Sequence, residues 1–130
     1  MKAHFILYVS DQPKSSAFYC RVLGLNPTLD VEGMTEFHLN DGAILGLMPE
    51  AGIKQLLGDV IRDPALGRGI PRAELYLRVE EPQSHYQRAL AAGAKPLSPL
   101  ALRDWGDEAA YCEDLDGHIL VFAKRHQSGA

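Results

Sequence analysis

His4 and Glu74 each stand at the start of an apolar, strand-like run, and an imidazole beside a carboxylate is a pairing suited to moving a proton. In such a pair the carboxylate fixes the imidazole tautomer and raises its basicity. The plainer reading is two ordinary polar residues at strand starts. Tyr8, Tyr76 and Trp105 offer flat surfaces with polar edges, suited either to stacking on a planar ligand or to core packing. Arg78 carries a fork of donors that can clamp a carboxylate or phosphate, unless a neighbouring acid such as Glu74 or Glu80 occupies it. Met48 reads as a filler of a pocket or core. Cys20 and Cys112 have no second thiol near them in sequence and read as buried free thiols. The chain contains no nucleophile elbow, phosphate-binding glycine loop, CxxC pair or HExxH helix, so hydrolase, nucleotide-binding and zinc-finger readings have no motif to stand on.

These residues must be positioned by a strand–helix–three-strand unit that the chain contains twice. His4 to Val9 is a β-branched and aromatic run; Asp11-Gln12-Pro13 supplies a helix cap with proline in the first turn, and Gly24 a left-handed stop. From Glu74 the plan returns: a strand to Val79, a helix start at Glu81-Pro82, a helix over Gln83 to Ala92 and a stop at Gly93. Val9 and Val79 lie 70 residues apart, Gly24 and Gly93 lie 69 apart, and Asp41-Gly42 and Asp116-Gly117 lie 75 apart. A repeat present only twice points to modules that complete one another, because one helix and four short strands bury too little apolar surface alone.

In the first module the further strands are Pro27 to Val31, Thr35 to Leu39 and Ala43 to Met48. In the second they are Lys95 to Pro96, Ala109 to Glu113 and His118 to Lys124, with Leu100 to Gly106 as an irregular loop. One domain over residues 1–130 is expected, built from modules 1–48 and 72–125 and joined by a connector over 49–71, where Ile53 to Leu57 form a helical turn. His126 to Ala130 reads as a frayed polar tail. Strand alternation puts Phe5, Leu7 and Val9, and Leu75, Leu77 and Val79, under the helices. The mixed faces with His4, Tyr8, Glu74, Tyr76 and Arg78 then line what the sheets enclose, together with Ile44, Gly46, Met48, Ile119, Val121 and Ala123. His118 falls on the opposite side, the facing of His38 is open, and His85 and His126 read as surface residues.

The fold class is thus α+β: two βαβββ modules forming curved mixed sheets around a cavity, with the helices outside. At 130 residues and 46% hydrophobic the composition is that of one globular domain, and the formal charge of −4 without a Lys/Arg run argues against nucleic acid or an anionic membrane as partner. The start lacks the apolar core of a signal peptide and no segment has the length of a membrane span, so a cytoplasmic location is expected.

Two stretches, Ser10-Asp11 leading into Phe18-Tyr19-Cys20-Arg21-Val22-Leu23-Gly24-Leu25, and Trp105-Gly106 followed by Glu113-Asp114-Leu115-Asp116-Gly117-His118, resemble the vicinal oxygen chelate superfamily. That superfamily includes glyoxalase I (a lactoylglutathione lyase), bleomycin-resistance proteins and extradiol dioxygenases. Leu115 stands where such proteins usually carry proline. The resemblance implies metal ligands on the first and fourth strand of each module, at positions that here hold His4, Gly46, Glu74 and Val121. Two of these can ligate and two cannot, an incomplete set for a divalent metal.

The expected function is therefore to bind a small organic molecule in the cavity between the modules, in the manner of bleomycin-resistance proteins, with no cofactor. Tyr8, Met48, Tyr76, Arg78 and Trp105 are its contacts. The alternatives are a metal-dependent lyase, isomerase or dioxygenase resembling glyoxalase I, with Glu74 as ligand or base, and a metal-free enzyme using His4 and Glu74. Open sheet edges and the apolar Ile53, Leu56, Leu57, Val60, Ile61 and Leu66 of the connector point to a homodimer.

Overall fold

In the computed structural model, which describes residues 1–127, the chain divides into two compact units, Met1–Arg68 and the part from Gly69 onward. Of the expected frayed tail, residues 128–130 lie outside the described residues.

The first unit runs β1 (Ala3–Val9), α1 (Gln12–Leu23), β2 (Leu29–Val31), β3 (Met34–Asn40), β4 (Ala43–Pro49) and α2 (Glu50–Leu57). Local chemistry sets the bounds of α1. The Asp11 carboxylate accepts the Lys14 backbone N–H at 3.0 Å, proline sits in the first turn, and Gly24 at φ 68° returns its N–H to the Cys20 carbonyl. The sheet order is β1-β4-β3-β2, with β1 parallel to β4 and the other pairs antiparallel. Leu7, Val9, Phe37, Leu45 and Leu47 are buried on the face that carries α1, which buries Phe18, Tyr19 and Val22. Each such side chain contributes about 1.5–3 kcal/mol of burial. Phe5 shares this face by alternation yet stays 55% exposed, because α1 packs chiefly on β3 and β4. Buried Thr35 ties α1 to the β2–β3 hairpin: its hydroxyl accepts from Gln12 and Ser16 and donates to Asp30.

The connector is more regular than a single turn over Ile53–Leu57. Helix α2 starts at Glu50, and 3-10 turns follow at Gly58–Val60 and Pro64–Gly67. The reason is a polar anchor: the buried Glu50 carboxylate accepts from Arg68 at 2.6 Å and 2.8 Å, pinning the helix start to the end of the unit. Lys54 closes the other end, donating to the carbonyls of Gly58 and Ile61. Ile53 is buried, whereas Leu56 is 70% exposed and Leu57, Val60 and Leu66 are also exposed.

The second unit repeats the plan as β5 (Glu74–Arg78), α3 (Pro82–Ala91), β6 (Lys95–Leu102), β7 (Asp107–Glu113) and β8 (Ile119–Arg125). Its order, β5-β8-β7-β6, with β5 parallel to β8, is the first sheet's order again. Strand β6 extends through Leu102, well past Pro96, so the first part of the expected irregular loop, Leu100 to Leu102, is strand, and residues 103–106 form the turn to β7. Pro96 and Pro99 are tolerated because β6 is an edge strand with register shifts, where proline removes no obligatory ladder bond. Arg103 stitches it to β7, donating to Ser98 Oγ and to the Pro99 and Ala109 carbonyls. The β7–β8 turn is built on buried Asp114, whose carboxylate accepts from the Asp116 and His118 backbone and meets His118 Nδ1 at 3.0 Å. His118 is thus buried by a turn and lies away from the face that carries Tyr76.

Candidate functional site

Register fixes which side chains share a face. In the first sheet Ile6 lies opposite Gly46 and Gly46 opposite Glu36, while His4 and His38 flank Ile44 and Tyr8 flanks Met48. His4, Ile6, Tyr8, Met34, Glu36, His38, Gly46 and Met48 therefore lie on the face opposite α1. The carboxylate brought to His4 is that of Glu36, with Oε2 3.4 Å from Nδ1. Sequence reasoning missed Glu36 because a strand residue with unknown facing shows no partner. His38 is thereby assigned a side, and it lies 3.8 Å from Asp41. Gly46 leaves no pocket: a Cβ there would stand 3.1 Å from Ile6 and 3.2 Å from Met34.

In the second sheet Tyr76 lies opposite Val121 and Val121 opposite Tyr111; Arg78 and Ala109 flank Ala123; Asp107 lies opposite Arg125. Val121, Ala123 and Ala109 are wholly buried, and Tyr76, Tyr111 and Ile119 pack against them. Val121 and Ala123 are accordingly not cavity lining. The tyrosine rings cover them and present the surface instead.

Tyr76, Arg78 and Trp105, singled out from sequence, are brought together by a residue that was not. The Tyr76 hydroxyl donates to Asp107 Oδ2 at 2.6 Å and accepts from the Trp105 indole N–H at 2.8 Å. Arg78 donates to the same carboxylate oxygen at 3.0 Å. Asp107 is fully buried and its Oδ1 has no hydrogen-bond partner; Arg125 Nη1 lies 4.0 Å from it. Arg125 itself donates to the Trp105 carbonyl at 3.1 Å. Burial pushes the Tyr76 hydroxyl above its ordinary value, and the hydrogen bond to Asp107 adds to this. Tyr111 is raised by burial and then by the charge of Glu74, against the pull of Arg103, whose guanidinium lies 5.1 Å from its ring centroid. Glu74 is exposed at the start of β5. Asp107 was hidden in sequence among other acids, and its partners Tyr76 and Arg78, on another strand, set it apart.

The donor set does not fit a family-type metal ion. Gly46 and Val121 carry no donor and their space is filled by neighbours; among the described residues no group of three His, Cys, Asp or Glu is placed to hold one. The chain's own side chains therefore carry the chemistry considered below.

Open cavities lie beside these sheets. One of about 610 Å³ lies at the end of β5 and β8, lined by Arg78, Glu80, His85, Lys124 and Arg125. A wider cleft of about 920 Å³ in the first unit is lined by Asp11, Gln12, Ser16, Cys20, Asp30 and Glu32. Its Asp11, Gln12, Ser16 and Asp30 are spent on the helix cap and the Thr35 network.

A solved structure of a glyoxalase-related enzyme from Fulvimarina pelagi superposes with a TM-score of 0.81 at 24% identity, covering 96% of this chain and 88% of that one. A glyoxalase/bleomycin resistance protein/dioxygenase from Nocardioides superposes at 0.77 with 20% identity, over 99% of this chain and 85% of the other. A solution structure of an Agrobacterium tumefaciens protein superposes at 0.74 with 25% identity, over 98% of each chain. No curated protein matches the sequence. A family model matches residues 3–122, and the chain belongs to the Glyoxalase/Bleomycin resistance protein/Dioxygenase superfamily.

Proposed function

We propose that the protein binds a small planar organic molecule against the Tyr76–Trp105–Tyr111 face of its second unit, without a family-type metal site. One observation carries the reading: the Tyr76 hydroxyl is locked between the Asp107 carboxylate and the Trp105 indole. Aromatic rings held this way bind with little further loss of freedom. Met48 and Tyr8 lie on the corresponding face of the first unit and serve the same kind of contact. Trp105 is the single tryptophan, so its indole N–H resonance reports this site alone. Titration with neutral 2-naphthamide should shift that resonance saturably, and Tyr76→Ala should abolish the shift in a folded protein. An unmoved indole at millimolar ligand refutes the reading.

A second reading, metal-free proton transfer, is favoured by the approach of His4 to Glu36. There Glu36 orients the imidazole. The metal-dependent lyase alternative predicts stoichiometric metal in protein purified without chelator, lost in His4→Ala. The free thiols Cys20 and Cys112 suit a reducing, cytoplasmic setting; no helix among the described residues is long and apolar enough to cross a membrane.

We further propose a homodimer, supported by Leu56, Leu57, Val60 and Leu66, which the chain leaves exposed. Sedimentation equilibrium at micromolar concentration should show twice the chain mass, and Leu56→Asp with Leu57→Asp should halve it. A strictly monomeric parent ends the proposal.

A further inference from the structure

We infer that the ligand carries a carboxylate or phosphate, and that this group docks on Arg78 and Arg125 at the ends of β5 and β8; the inference rests on the binding face proposed above. Arg78 and Arg125 lie on one face of parallel neighbours and share a single carboxylate, Asp107. Only one of its oxygens is bonded: Oδ2 takes the Tyr76 hydroxyl and one Arg78 N–H, while Oδ1 stands 4.0 Å from Arg125. Two guanidiniums against one carboxylate leave a local surplus of positive charge, in a chain whose formal charge is −4.

The surplus is accessible and held in place. The side chains of Arg78 and Arg125 are 61% and 65% exposed although both reach toward a wholly buried acid. The guanidinium of Arg125 lies flat against Gly106, where a Cβ would stand 3.0 Å from Nη1 and 3.1 Å from Cζ, and it donates to the neighbouring Trp105 carbonyl. The turn that carries the aromatic ring thus also seats the cation. Arg78 spends a donor on Asp107 and Arg125 one on the Trp105 carbonyl, out of five N–H donors on each guanidinium, and both residues line the cavity of about 610 Å³. Lys124, on the same cavity, is engaged by Glu80 at 3.4 Å and adds no net charge. Planar forks at a cavity mouth match the paired oxygens of a carboxylate or phosphate. The indole and Tyr76 ring beside them match a planar body, so the ligand class is an aromatic or other planar acid.

Three isosteric probes separate the claims: 2-naphthamide, 2-naphthoate and 2-naphthyl phosphate, each titrated against the Trp105 indole resonance. The acids should bind about tenfold or more tightly than the amide, and whichever acid binds tighter names the anion. Arg125→Gln should cost the acids about tenfold and leave the amide unchanged, with Arg125→Lys between. In the unaltered chain, raising salt from 20 to 200 mM should weaken the acids severalfold and spare the amide, which decides the matter even if the variant does not fold. Equal affinity of acids and amide, or acids indifferent to salt, overturns the anion site while the planar-ligand reading stands. No shift with any probe overturns both.

Discussion

Replacing Asp107 is the sharpest test of the site, because its carboxylate joins Tyr76, Arg78 and, through Tyr76, Trp105. Asp107→Asn keeps an oxygen for the Tyr76 hydroxyl but removes the charge, turning a charge-assisted bond of about 1.5–3 kcal/mol into a neutral one of about 1 kcal/mol. The Arg78 pair adds only about 0.2–1 kcal/mol, since that side chain is mostly in water. Against these losses stands the relief of burying a carboxylate whose Oδ1 is unsatisfied. The net expectation is a destabilisation of about 1–2 kcal/mol for Asn. Asp107→Ala also strands the Tyr76 hydroxyl and should cost roughly 1–3 kcal/mol more. The double-mutant cycle of Asp107→Ala with Tyr76→Phe isolates the bond, with an expected Tyr76–Asp107 coupling of about 1.5–3 kcal/mol. Urea denaturation followed by far-ultraviolet circular dichroism measures it, with Trp105 fluorescence as a second probe whose coincidence tests two-state behaviour. Asp107→Asn should also lower the titration midpoint of Tyr76 while burial still holds it up. A coupling below about 0.5 kcal/mol, within the scatter of independent sites, would falsify the hydrogen-bonded core of the site.

Three further outcomes are expected. Burial pushes the Cys112 thiol from 9.0 to about 12; a raised acid favours the folded state below its unfolded pKa, so roughly 4 kcal/mol of stability should drain away as pH climbs from about 9 to 12. Cys112→Ala should flatten that slope, and an unchanged slope in urea melts across this range would contradict it. Gly117→Ala should destabilise by more than Gly24→Ala, because both have positive φ but a Cβ at 117 meets the Gly69 backbone at 2.8 Å while at 24 it meets nothing. Roughly 1 kcal/mol is expected for Gly24 and about 3 kcal/mol or more for Gly117, and equal melting-temperature losses would refute the packing argument. Asp11→Ala should cost about 1 kcal/mol through the lost Lys14 cap, read from urea melts; a parent-like midpoint would show the cap to be idle.

The repeat was legible because its anchors are backbone devices: proline in the first turn of α1 and of α3, the positive-φ Gly24 and Gly93 that follow them, and the Asp-Gly pairs at 41–42 and 116–117 recur whatever the side chains between them do. Strand β6 was not, because Pro96 and Pro99 read as breakers until edge position makes them harmless. The start of α2 was hidden for a related reason: Glu50 follows a proline and looks solvated, and only Arg68, 18 residues on, shows why it is buried. At the site, alternation found Tyr76 and Arg78 on one face. It could not find Asp107 or Glu36, whose importance comes from neighbours on other strands.

The two units hold the same frame and spend it differently. Where the first sheet sets Ile6, Gly46 and Glu36 side by side, the second sets Tyr76, Val121 and Tyr111. The first row keeps its polar member, Glu36, beside the half-exposed His4. The second row is closed by two rings over a valine, and its polar chemistry is moved along the strands to Asp107, Arg78 and Arg125. The contacts proposed above for the second unit are therefore residues other than Val121, one of the positions that the superfamily resemblance assigns to a metal ligand. Once those positions are given to packing, the ends of the strands, where a buried acid can hold exposed arginines in place, become the part of the second sheet best able to recognise charge.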